Sequence, residues 1–76
     1  MGRQFEYRIT YRKQNCVQLN NHYYMAESAE QALDFQLEMM EHRHWNLDII
    51  KIEKMCPWSN LWVDESETIN NIIHGH

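Results

Sequence analysis

The chain has 76 residues and a formal net charge of −4, which bounds it to one domain and leaves too few clustered cations to neutralise a phosphate backbone by counterion release. Hydrophobic residues make up 43%, with only 2 Gly and 1 Pro, so a core is available and long flexible linkers are excluded. A body this short buries only about 60% of its unfolded surface, which favours shallow surface recognition over a deep substrate pocket.

Phe5, Tyr7, Ile9 and Tyr11 alternate with Glu6, Arg8, Thr10 and Arg12. Aromatic and β-branched residues at period two predict a half-buried strand. Lys13-Gln14-Asn15 predicts a turn. A second strand is expected from Cys16 to Ala26, where Val17 and Leu19 share one parity and His22, Tyr24 and Ala26 the other. A bulge at Asn20-Asn21 would reconcile the two sets; the alternative is a simple register with Tyr23 and Met25 pointing inward.

Ser28-Ala29-Glu30-Gln31 is a capping-box pattern and predicts a helix from there to His44. At ~100° per residue, Ala29, Gln36, Leu37, Met40 and His44 cluster around Leu33 as the expected buried stripe. Glu30, Asp34, Glu38 and Glu41 form an acidic ridge beside it. Acids at the start and Arg43 with the histidines at the end suit the helix dipole.

Trp45-Asn46 ends the helix. Leu47 to Met55 reads as a third strand, with Ile50 and Ile52 expected toward the helix and Lys51 and Glu53 away from it. Leu47 and Ile49 have the opposite parity, which implies a twist or bulge. Pro57 stops the strand. Trp58, Leu61, Trp62 and Val63 make either a short fourth strand or a loop folded over the sheet. After the acidic run Asp64-Glu65-Ser66-Glu67, Ser66 is placed to cap a short helix bearing Ile69, Ile72 and Ile73, and His74-Gly75-His76 is expected to fray. The fold class is therefore α+β: a three- or four-stranded antiparallel sheet in β-β-α-β order with one helix on one face. Residues 1–63 form the domain and 64–76 a tail, either a short helix or disordered.

No cofactor and no metal are expected. His22, His42, His44, His74 and His76 with Cys16 and Cys56 contain no Cys-x-x-Cys and no His pair at i, i+4. The two cysteines read as reduced thiols, and nothing at either position marks a nucleophile with its base. The helix acids read as a solvated ridge rather than as general acids, and there is no glycine-rich phosphate loop. An enzyme is not expected. Nucleic acid is disfavoured as well, because the aromatics and the arginines of the first strand lie on opposite sides of it. No run approaches the ~20 apolar residues of a membrane span, and Arg3, Glu6 and Arg8 interrupt any apolar leader, so the expected location is the cytoplasm.

Three surfaces are left for a partner. Phe35, Met39 and His42 lie about 180–240° around the helix from Leu33, on the side away from the sheet. They form either a docking or self-association surface, including a possible homodimer, or a patch covered by the segment from Trp58 to Ile73. Trp58 and Trp62, four apart, are either a lid over the sheet end or anchors for a partner. Open sheet edges are a third route, since they accept an added strand.

The run Tyr24-Met25-Ala26-Glu27-Ser28-Ala29-Glu30-Gln31-Ala32-Leu33 resembles the strand-to-helix junction of the short podoviral inhibitors of host RNA polymerase. Those are β-β-α-β domains whose last strand ends near a basic residue and a cysteine, here Lys54 and Cys56. The resemblance covers Phe5 to Cys56. It implies a sterically acting inhibitor whose contact residues include Lys54; Ile52 stands where that family carries its second basic residue. The layout is also similar to that of small anti-CRISPR proteins, which implies a CRISPR effector as the alternative target. Ile50-Lys51-Ile52-Glu53 is similar to the archaeal ribosomal LX protein, but that family is basic and this chain is acidic.

Overall fold

A computed structural model describes residues 3–69. The chain order is β1 (Phe5–Lys13), β2 (Leu19–Ala26), α1 (Ala29–Arg43), β3 (Leu47–Met55), β4 (Trp62–Asp64) and the single turn α2 (Glu67–Ile69). The strands form one antiparallel sheet in the order β2-β1-β3-β4. Because β2 and β3 both run antiparallel to β1, they are parallel to each other, and α1 carries the chain from one to the other past the central strand. This is the split β-α-β arrangement and the α+β class expected.

The alternation of β1 decides where the core sits. Tyr7 and Ile9 are buried, and α1 meets them with Ala29, Ala32 and Leu33; Ala26, Ile52 and Ile69 complete the cluster. Phe5, Tyr24, Leu37 and Ile49 pack around its rim. Ile69 belongs to the turn after the fourth strand, so the start of the tail is part of the packed body. Two backbone contacts tie it down: the Glu65 N–H donates to the Ile52 carbonyl at 2.8 Å, and the Ile52 N–H donates to Ser66 Oγ at 3.4 Å. Ile72 and Ile73 lie outside the described residues.

Three expectations are corrected. First, β2 begins at Leu19 and pairs with β1 without interruption from Phe5 opposite Ala26 to Arg12 opposite Leu19. There is no bulge at Asn20-Asn21. The turn after β1, with Asn15 at φ 68° and the Cys16 N–H on the Lys13 carbonyl at 3.0 Å, keeps Val17 out of the strand, so its parity constrains nothing. Second, the twist or bulge expected in β3 is a bulge, and it turns Ile50 outward. Ile9 opposes Ile52, Thr10 opposes Lys51, and Tyr11 opposes Ile49, so Ile50 is the extra residue. Ile49 and Ile52 reach the helix side together, and Ile50, expected inward, is exposed. Third, His44 is not on the buried stripe. It is the exposed left-handed C-cap of α1, at φ 56° and ψ 37°.

The helix start follows its sequence signal. Ser28 is extended, and its Oγ accepts the Gln31 N–H at 3.1 Å. Gln31 Oε1 in turn accepts the Glu27 N–H at 2.8 Å. Ser28→Ala is expected to cost about 1 kcal/mol, the usual loss when an N-cap oxygen is removed; urea unfolding of the pair of proteins checks it. Among the described residues no helix is long and apolar enough to cross a membrane.

Two polar residues are buried among those described, Thr10 on the side of the sheet away from the helix and Gln36 on the helix side. Gln36 is fully buried on the inner face of α1. Its Oε1 accepts the Tyr24 hydroxyl at 2.6 Å and lies 2.8 Å from His22 Nδ1, while its Nε2 has no partner. Tyr11 lies tilted against His22 and Trp45 stacks beside it, with ring centroids 4.3 and 6.3 Å away.

Candidate protein-docking surface

α1 and α2 lie on one side of the sheet, and among the described residues the other side carries no helix. Side chains on that open face follow from the pairings: Leu19, Asn21, Tyr23 and Met25 of β2, Glu6, Arg8, Thr10 and Arg12 of β1, Asp48, Lys51 and Glu53 of β3, Trp62 and Asp64 of β4. Leu19, Tyr23 and Met25 are each more than half exposed, at 54%, 55% and 56%. Tyr23 and Met25 are adjacent on this face, Leu19 lies beyond Asn21, and exposed apolar side chains gathered this way mark a contact surface.

Arg8 organises the centre of the face. Its Nε and a terminal guanidinium nitrogen both donate to Glu53 Oε1, at 3.0 and 2.8 Å. Lys51 Nζ stands 3.7 Å from the same oxygen. The Trp62 ring lies over the guanidinium at 4.3 Å, and Tyr23 lies beside Trp62 with ring centroids 6.1 Å apart. The result is a cluster in which Trp62 of β4 meets both Arg8 of β1 and Tyr23 of β2 across the sheet. The Glu53 hydrogen bond is the main cause that pushes the Arg8 pKa further above its ordinary value, so the guanidinium charge is permanent. At the flanks Thr10 Oγ1 donates to Asn21 Oδ1 at 2.8 Å, and Arg12 meets Asp48 at 3.5 Å. Three cations face four carboxylates here, so the face carries no positive field.

The other anticipated contact residues fall elsewhere. Trp62 is on the open face, but Trp58, 86% exposed, stands at the mouth of a cleft of about 320 Å³ beside Arg3, Phe5, Lys54, Cys56 and Val63. Lys54 Nζ rests 3.9 Å above the Phe5 ring. Hydrogen bonding from Ser59 is the main cause that holds the Cys56 thiol pKa below its ordinary value. The helix patch is a third place. Phe35 is 40% exposed and leans on Tyr24 with ring centroids 6.2 Å apart; Met39 is half-buried and His42 exposed. The two tryptophans are therefore separated by the sheet, and Phe35, Met39 and His42 share no surface with Lys54.

Tyr23 and Arg8 were not anticipated as contact residues. A weak signal existed: Tyr23 shares its parity with Met25 and opposes that of Tyr24, so one of two adjacent tyrosines had to face away from the core. Among the described residues no group of three or more His, Cys, Asp or Glu side chains is placed to hold a metal ion. Set against protein-family models, curated proteins and solved structures, the chain finds no match in any of the three.

Proposed function

We propose that the chain is a non-enzymatic protein-binding domain that docks its helix-free sheet face on a host protein complex and blocks that complex sterically. The observation that supports it is the Tyr23–Arg8–Trp62 cluster on an uncovered face. Tyr, Trp and Arg are the residue types that dominate binding hot spots. An Arg already fixed by a carboxylate and a ring loses little further freedom on binding. The near balance of charge on the face suits a protein surface better than a phosphate backbone. The junction from Tyr24 to Leu33 supports the choice of complex, host RNA polymerase or a CRISPR effector.

Biolayer interferometry on the immobilised domain, with purified RNA polymerase and a purified CRISPR effector as analytes, tests the reading. One of them is expected to bind, and Trp62→Ala is expected to weaken binding by about tenfold or more, equivalent to ~1.4 kcal/mol. If neither complex binds, the inhibitor reading fails. If Trp62→Ala folds normally and binds unchanged, the open face is the wrong surface.

A further inference from the structure

Among the described residues β2 is the long free edge of the sheet. Its eight residues, Leu19-Asn20-Asn21-His22-Tyr23-Tyr24-Met25-Ala26, include no Asp, Glu, Lys, Arg or Pro, and its pairing with β1 has no bulge. Soluble proteins guard a free edge with charges, proline, bulges or extreme shortness. The opposite edge obeys this rule: β4 has three residues and ends in Asp64. The β2 edge has none of these guards. Apolar side chains also flank it on both faces, Leu19, Tyr23 and Met25 on the open side and Phe35 against Tyr24 on the helix side.

We propose that β2 pairs antiparallel with the β2 strand of a second copy, about a twofold axis at His22. The absence of formal charge along the strand makes self-pairing free of like-charge repulsion. Residues opposite each other in an antiparallel ladder share a face, and a one-residue slip would set open-face side chains against helix-face ones. Two registers centred on the strand satisfy this. With Tyr23 opposite its own copy, Met25 meets Asn21 and Leu19 meets Glu27. With His22 opposite its own copy, Leu19 meets Met25 twice by symmetry, Tyr23 meets Asn21, and Glu27 stays outside the ladder. The second register joins the exposed apolar pair and is the one selected. On the helix side it brings Phe35, which leans on Tyr24, toward the same seam from both copies. The product is an eight-stranded sheet whose open face runs unbroken across the axis. The inference goes beyond the docking reading and is tested on the purified chain alone.

Light scattering after size exclusion, across a dilution series, is expected to give twice the 9.3 kDa chain mass at high concentration. Met25→Lys, at a site more than half exposed, is expected to raise the dimer dissociation constant about tenfold or more while circular dichroism stays unchanged. The register has its own readout. In a Cys16→Ser, Cys56→Ser background, Leu19→Cys mixed with Met25→Cys is expected to form an intermolecular disulfide that neither protein forms alone, since directly opposed Cβ atoms lie about 4.5–5.5 Å apart, close to disulfide range. A monomer mass at every concentration overturns the proposal. So does a dimer that folded Met25→Lys leaves intact, or a dimer whose mixed cysteine variants stay unlinked.

Discussion

Ile52→Ala is expected to remove about 3 kcal/mol of stability, within the usual range for truncating a buried Ile to Ala. Ile52 has no exposed surface, opposes Ile9 in the central ladder, and sits among Tyr7, Leu33 and Ile69 in the single core cluster of the described residues. A domain of this length holds only about 4–11 kcal/mol in total, so the loss is a large fraction of it. The Ile52 backbone contacts to Glu65 and Ser66 survive the substitution, so the effect belongs to the side chain and its cavity. Urea unfolding should show a lower midpoint with an unchanged slope. Ile50→Ala, one bulge away and exposed, should change stability by no more than about 0.5 kcal/mol. Similar losses at both positions would contradict the register that makes Ile50 the extra residue.

The second large effect is at Gln36. Gln36→Ala is expected to cost about 3 kcal/mol, because it opens a cavity in a fully buried site and strips the acceptor from the Tyr24 hydroxyl. Burial is the main cause that pushes the Tyr24 pKa above its ordinary value, with Tyr11 second, so this hydroxyl keeps its proton and remains the donor. Gln36→Leu should cost less, since it fills the volume and also removes an Nε2 that has no partner. It still leaves Tyr24 without its 2.6 Å acceptor. Adding Tyr24→Phe removes that unmatched donor. A double-mutant cycle on Gln36→Leu and Tyr24→Phe should therefore show coupling of about 1–2 kcal/mol, with the double variant more stable than the sum of the singles. Strict additivity would mean that water already serves the Tyr24 hydroxyl.

What could be read from the letters depended on whether the deciding contact was local. Ser28 and Gln31 lie within one helical turn, and the cap forms where the capping box put it. Tyr7 and Ile9 alternate along one strand, and both are core. The β3 sequence announced a parity conflict between Leu47-Ile49 and Ile50-Ile52, but not its resolution. Only the strand opposite, through Tyr11 and Ile9, decides that Ile49 is kept inward and Ile50 expelled. His44 sat at a helical angle suited to burial, but capping ends the helix there, and a residue in a left-handed turn no longer follows the helical wheel. The Tyr23–Arg8–Trp62 cluster was the least legible feature. Its members belong to three strands, and the sheet order that brings them together is fixed by packing across the whole domain rather than by any short motif.

The central position of β1 has a consequence for how the molecule is made. β1 is synthesised before its second neighbour, β3. In a partly folded chain in which β1 has paired with β2 and β3 has not yet docked, the β1 side of that two-stranded ribbon has nothing to pair with. Glu6, Arg8, Arg12 and Lys13 place charge along this temporarily naked strand, where it disfavours aggregation with neighbouring chains. In the finished protein the same charges serve another purpose, as Arg8 turns to Glu53 and Arg12 to Asp48 once β3 arrives.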